Sequence, residues 1–201
     1  VAHPVAKFDD PRRQIEDEAR FLKSWIERPL LTGAVSPSGK HLARAMANAV
    51  DPARPGPVIE LGPGTGPVTE ALIRRGIDES RLVLLEYNLD FCRLLHARFP
   101  KATVVHGDAY RLKDTLKDHL REPPAAIVSG LPLFTKPERM RLTLLDEAFE
   151  LAQPGAPFVQ FTYAVVSPVP LKAGGFEARA TNRIWRNLPP ARVWIYRRPG
   201  A

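Results

Sequence analysis

Cysteine is almost missing from this sequence: Cys92 is the single thiol in 201 residues, so no internal disulfide can brace the fold. Its neighbours Phe91, Leu94 and Leu95 put it on the buried side of a helix instead. Long apolar runs are missing too. No stretch approaches the roughly 20 residues a membrane-spanning helix needs, and Val1 to Asp10 lacks the basic-then-apolar order of a secretory signal. A cytoplasmic location is therefore expected. His41, His96, His106 and His119 are scattered without metal-ligand or triad spacing, so no metal is expected and no histidine is assigned a role. Negative charge is in deficit, with 22 Asp and Glu against 29 Lys and Arg for a net +7. That balance suits an acidic partner, either nucleic acid or an anionic membrane surface. The excess gathers late in the chain, where Arg179, Arg183, Arg186, Arg192, Arg197, Arg198 and Lys172 face only Glu177.

What is present is enough for one globular domain with a full core: 44% of residues are hydrophobic and 25% charged. Short apolar runs alternate with helical patterns, as in an α/β fold with a mostly parallel sheet. Val58–Leu61, Leu82–Glu86, Thr103–His106, Ala126–Ser129 and 157–163 read as buried strands. Between them, Pro67–Arg75, 89–99, 114–120 and 136–151 read as crossover helices. After the fifth strand, 176–185 and 192–196 read as two strands joined only by Asn187-Leu188-Pro189-Pro190, a link so short that it implies an antiparallel hairpin. Ahead of the sheet, Ser36 and Pro37 suit the cap and first position of a helix to about Ala49. An earlier helix over 11–27 places Ile15, Ala19, Leu22 and Ile26 on one stripe with Phe21 and Trp25 beside it.

The most specific signal is Val58-Ile59-Glu60-Leu61-Gly62-Pro63-Gly64-Thr65-Gly66, a strand running into a glycine-rich turn and then a helix. Glycines there let the backbone turn sharply and approach a ligand, and the helix start presents free N–H groups. The spacing is G-x-G-x-G, not the G-x-G-x-x-G of dinucleotide sites, and Glu60 sits inside the strand. A pyrophosphate gains nothing from that carboxylate, whereas a ligand with an amino group and a sulfonium does. Glu86 ends the second strand, where a carboxylate can accept from both ribose hydroxyls, and Asp108 follows the third, where it can accept from an adenine amino group.

These residues resemble the motifs of the class I S-adenosylmethionine methyltransferases over Pro57 to Tyr196. The resemblance implies a Rossmann-like fold with a seven-stranded, mostly parallel sheet, a C-terminal antiparallel hairpin and an N-terminal amphipathic helix. It implies S-adenosylmethionine as methyl donor and S-adenosylhomocysteine as product. Glu60 and Gly62, Gly64 and Gly66 would hold the methionine part, Glu86 and Tyr87 the ribose side, and Asp108 and Ala109 the adenine.

Ser129-Gly130-Leu131-Pro132-Leu133-Phe134 occupies the place where amino methyltransferases carry an Asn-Pro-Pro-Tyr-like motif. In those enzymes the Asn accepts from a planar exocyclic amine. Ser129 is a poorer acceptor for it, so an aliphatic amine is the better substrate. Together with Arg28 to Ser38, the segment resembles the bacterial phospholipid N-methyltransferases, themselves similar to the rRNA adenine dimethylases. That likeness implies stepwise methylation of phosphatidylethanolamine towards phosphatidylcholine by a monomeric, peripheral enzyme on the inner face of the cytoplasmic membrane. A phospholipid substrate and an anionic membrane surface are the partners expected, and no nucleic acid. It implies a division into residues 1–36, an amphipathic helix and lid segment, and 37–201, the methyltransferase domain. Thr32, Ser129, Gly130 and Leu131 would also line the cofactor, Tyr163, Ser129 and Phe134 the reacting amine, and Ile15, Phe21, Leu22, Trp25 and Ile26 would enter the headgroup boundary. Tyr163 and Phe134 are chosen because aromatic faces suit a methylated ammonium. The RNA adenine methyltransferase and a non-catalytic membrane-binding module on the same fold are the alternatives.

Overall fold

A computed structural model describes residues 37–171, 175–187 and 189–199. The expected helix over 11–27, with Ile15, Phe21, Leu22, Trp25 and Ile26, and the Thr32 segment lie outside those residues, as does Lys172.

Helix α1 (Pro37–Ala47) precedes β1 (Val58–Leu61), α2 (Pro67–Arg75), β2 (Leu82–Glu86), α3 (Leu89–Arg98), β3 (Thr103–His106), α4 (Leu112–Leu116), β4 (Ala126–Ser129), α5 (Glu138–Leu151), β5 (Phe158–Thr162), β6 (Glu177–Ala180) and β7 (Arg192–Arg197). The seven strands form one sheet in the order β3-β2-β1-β4-β5-β7-β6. β1 to β5 run parallel, and β7 is antiparallel to both β5 and β6.

The apolar runs have a simple origin. β1, β2 and β4 are buried along their whole length because helices cover both faces of the sheet, which removes the polar alternation of a half-exposed strand. On one face Val58, Leu84, Val128 and Val159 pack on Met46 of α1, Leu72 of α2 and Leu95 of α3. On the other, Ile59, Leu61, Val83, Leu85 and Ile127 pack on Leu112 and Leu116 of α4 and on Leu144, Leu145 and Ala148 of α5. Cys92 is buried on α3, where its thiol donates to Glu86 O at 3.6 Å.

Two expected elements are shorter than their patterns suggest. The strand expected over 176–185 ends at Ala180. The Thr181 hydroxyl accepts from Val193 N at 3.2 Å, and the ladder resumes only as a single bridge between Ile184 and Ala191. The helix expected over 114–120 begins earlier and is one turn long, Leu112–Leu116. A 3-10 turn over Ala109–Arg111 precedes it, capped by Asp108 accepting from Tyr110 N at 2.9 Å.

Candidate cofactor and substrate site

Buried polar side chains are costly and need a reason. Among the described residues they are Glu60, Thr69, Glu86, Ser129, Gln160, Thr162 and Asn187. Apart from Asn187, all stand on the C-terminal halves of adjacent parallel strands or bond to a side chain that does. Strand β1 lies between β2 and β4, so the connections leave it in opposite directions and open a crevice at that edge, where ligands bind in doubly wound sheets.

Gly62, Gly64 and Gly66 all have positive φ, at 65°, 58° and 85°, a region that side chains with a Cβ avoid. A Cβ on Gly66 would run into the Phe99 ring, whereas around Gly64 there is open space. Gly66 is the N-cap of α2 without a side-chain partner for the first turn, and Pro67 follows it. Pro67 has no N–H to leave unsatisfied, and the Thr69 backbone joins its hydroxyl in hydrogen-bonding Glu60, so the start of α2 is tied to the buried acid. β1 and β4 approach closely here: Gly130 N donates to Leu61 O at 2.8 Å, and a Cβ on Gly130 would stand 2.8 Å from Gly62 O. Leu131 lies over Gly62.

Glu60 is buried against α2, where Thr69 Oγ1 donates to its Oε2 at 2.6 Å. Burial raises its pKa from 4.5 to about 7, against the opposing pull of the Thr69 hydrogen bonds. A cation placed beside it would restore the charge. Glu86 works differently. Its Oε1 accepts from Tyr87 N and Asn88 N, both at 2.9 Å, and Oε2 from Gly64 N at 3.0 Å. Of about four lone-pair positions on a carboxylate, one remains for a hydroxyl; accepting a second requires releasing Gly64 N–H. Tyr87 is 75% exposed beside His106, whose Nε2 meets Tyr87 O at 3.0 Å. Gly107 N donates to Glu86 O, which sets exposed Asp108 and buried Ala109 just beyond the end of β3. The edge therefore carries a recess that a Cβ would fill, a buried acid suited to a cation, and free acceptors for hydroxyl and amino groups. Those features fit the methionyl, ribose and adenine parts of S-adenosylmethionine.

On the substrate side, Ser129 is fully buried and its hydroxyl accepts from Leu131 N at 3.3 Å, which tightens the Ser-Gly-Leu-Pro turn. Tyr163 follows β5 half-buried, edge-on to Phe161 at 5.5 Å, and its carbonyl accepts from Arg183 Nη2 at 2.9 Å. Phe134 is partly exposed, and the Arg141 guanidinium lies 5.4 Å from its ring centroid, so one ring face already has a cation. Among the described residues no group of three His, Cys, Asp or Glu could hold a metal ion.

Two participants escaped the sequence reading. Thr69, which partners Glu60, looks like an ordinary helix residue. Gln160 donates through Nε2 to Leu131 O at 2.9 Å and to Phe161 O at 2.8 Å, fastening the Ser129–Pro132 turn to β5. Two carbonyl neighbours fix the amide orientation, so the buried Oε1 is an acceptor without a partner among the described residues. A lone glutamine inside Phe158-Val159-Gln160-Phe161 was the available signal.

Comparison with known proteins bears on the family and the fold. The Ribosomal RNA adenine dimethylase family matches residues 38–135, which hold the cofactor-side candidates from Glu60 to Leu131 but not Thr32. The fold is shared with the O-methyltransferase of Bacillus cereus solved with S-adenosylhomocysteine, at TM-score 0.60 and 15% identity over 96% of this chain and 92% of that one. The chain is therefore a Rossmann-like, S-adenosylmethionine-dependent methyltransferase related to the ribosomal RNA adenine dimethylases. Among curated relatives, it is 29% identical over 191 residues to an ornithine lipid N-methyltransferase of Singulisphaera acidiphila, covering 91% of this chain and 97% of that protein. It is 30% identical over 151 residues to ribosomal RNA small subunit methyltransferase A of a Synechococcus strain, covering 73% of this chain but only 46% of that protein.

Proposed function

We propose that the protein methylates the aliphatic amine of a membrane lipid, converting phosphatidylethanolamine stepwise towards phosphatidylcholine at the inner face of the cytoplasmic membrane. The observation that carries this reading is the turn after β4. Where a planar exocyclic amine would need an Asn amide as acceptor, this chain has a buried Ser129 whose hydroxyl is already engaged by Leu131 N. The near full-length likeness to an ornithine lipid N-methyltransferase supports it, since ornithine and ethanolamine both present an aliphatic amine.

S-adenosylmethionine supplies an electrophilic methyl group on a sulfonium. The chain's task is to hold the amine in line with it and keep water out. In this reading Glu60 meets the methionyl ammonium, Glu86 the ribose and Asp108 an adenine amino group. Gly62 and Gly130 give the backbone room for close approach. The Gln160 Oε1, without a partner among the described residues, is an acceptor that can hold an amine through an N–H bond, leaving its lone pair for attack. Each transfer breaks the S–CH3 bond, forms N–CH3 and, while an N–H remains, releases its proton to solvent; as N–H bonds are lost, hydrogen bonding gives way to aromatic contact, for which Tyr163, edge-on to Phe161, is the candidate. The expected roles of residues 1–36 as membrane anchor and lid, and of Thr32 towards the cofactor, lie outside the described residues and belong to this proposal.

The test is transfer of labelled methyl from S-adenosylmethionine to phosphatidylethanolamine liposomes, with and without anionic lipid, resolved by headgroup. Mono-, di- or trimethylated lipid is the expected product. A second reading, methylation of an RNA adenine, rests on the family match over residues 38–135. Labelled adenine with unlabelled lipid would establish it in place of the first.

A further inference from the structure

Away from the glycine loop, α1 and the loop between β6 and β7 enclose a shallow cavity of about 340 Å³, lined by His41, Arg44, Ala45, Asn48, Ile184, Trp185 and Arg186. Nothing in the cofactor or amine chemistry uses it. His41, Arg44, Ala45 and Asn48 recur at helical spacing on the side of α1 opposite buried Leu42, Ala43, Met46 and Ala47. The facing wall is a built turn. Ile184 N donates to Ala191 O at 2.7 Å and Asn187 N to Ile184 O at 3.1 Å, so Trp185 and Arg186 are the two central residues of the turn. Buried Asn187 then locks it by donating through Nδ2 to Pro189 O at 2.7 Å.

The turn holds out what folding alone would not. Trp185 is 75% exposed, and the guanidinium of Arg183 lies 5.7 Å from its ring centroid. Among the described residues no carboxylate lines the cavity, and neither Arg44 nor Arg186 has an ion-pair partner. Cations with no counter-charge, around an indole held at the surface, match the boundary of an anionic bilayer, where tryptophan settles at headgroup depth and arginine meets phosphate. The turn also lies at the catalytic edge of the sheet, since Arg192 at the start of β7 pairs with Thr162 at the end of β5.

We propose that this cavity is a binding site for the phosphate of an anionic phospholipid, through which the folded domain itself sits on the membrane with its catalytic edge towards the lipid. The site binds a surface lipid rather than the methyl acceptor, so it stands or falls separately from the amine-lipid reading.

The test uses the full chain and phosphatidylcholine vesicles with and without phosphatidylglycerol, read by co-sedimentation. Arg44→Gln with Arg186→Gln is expected to lower partition onto the anionic vesicles about 30-fold, at roughly fivefold per cation near such a surface. Arg74→Gln with Arg93→Gln removes the same charge from exposed side chains already paired with Glu70 and Asp90, and is expected to change partition less than about twofold. Thermal melting and S-adenosylmethionine affinity stay at parent values in both. Equal losses in the two double variants would overturn the proposal in favour of diffuse attraction. It is also overturned if soluble glycerophosphate at matched headgroup concentration competes fully, which would make the cavity a small-anion pocket. Loss of ribosomal RNA binding with vesicle partition kept would assign the surface to nucleic acid and equally overturn it. If the arginine pair responds as expected and no lipid is methylated, the membrane site stands and only the substrate reading fails.

Discussion

Replacing Glu60 with glutamine separates the cost of a buried acid from its use. In the folded chain the carboxyl keeps its proton up to about pH 7, whereas in the unfolded chain it releases it near 4.5. Between those values the native state binds more protons than the unfolded one, so stability falls as pH rises and the loss is complete above the folded pKa. At 1.36 kcal/mol per pKa unit the loss reaches about 3 kcal/mol, a large share of the stability of a domain this size. Glutamine keeps an acceptor for Thr69 Oγ1 and cannot ionise. Glu60→Gln should therefore remove this component of the pH dependence: relative to the parent it gains about 3 kcal/mol between about pH 4.5 and pH 8, whatever constant offset its new amide group introduces. Denaturant unfolding of the ligand-free protein at the two pH values measures that difference. A cationic ligand reverses the picture, because it favours the ionised carboxylate. Parent affinity for S-adenosylmethionine should climb with pH up to about 7, by as much as tenfold per unit, and the variant should lack this rise. Parallel stability profiles in the two proteins would refute the buried acid, and parallel affinity profiles would refute its contact with the ammonium.

Glu86→Ala strips the acceptor from Gly64 N, Tyr87 N and Asn88 N as well as from the ribose, and should cut S-adenosylmethionine affinity at least about 100-fold by calorimetry while the circular dichroism is kept. Normal affinity would remove the ribose from that strand end. Gly130→Ala puts a Cβ 2.8 Å from Gly62 O, backbone that cannot swing away, so it should cost about 1–3 kcal/mol and loosen cofactor binding. Gly39→Ala, with nothing within 4 Å, is the control and should cost nothing by the same melting assay. Gln160→Leu leaves Leu131 O and Phe161 O without their donor and should raise KM for the amine more than it changes cofactor affinity, as steady-state kinetics on lipid would read. Trp25→Glu should weaken liposome partition more than cofactor binding; unchanged partition would exclude the N-terminal helix as anchor.

The parts of this molecule that the sequence announces are those where physics leaves few solutions. A strand covered on both faces must read as an uninterrupted apolar run, so the bounds expected for β1, β2 and β4 are those observed, and three residues at positive φ within one turn favour glycine, so Gly62, Gly64 and Gly66 announce the turn after β1. Pairings set by distance in space leave no such mark. Thr69 meets Glu60 only because α2 folds back over β1, and the early end of β6 depends on a hydroxyl at Thr181 replacing a carbonyl opposite Val193. The informative residues were the exceptions inside the apolar runs: Glu60, Glu86, Ser129 and Gln160 each interrupt or end a buried strand with a polar group that is costly to bury. Read that way, Gln160 carries the same message as Glu60. Its two amide hydrogens tie Leu131 and Phe161 together, and the buried carbonyl oxygen, without a partner among the described residues, is an acceptor that a ligand N–H can meet.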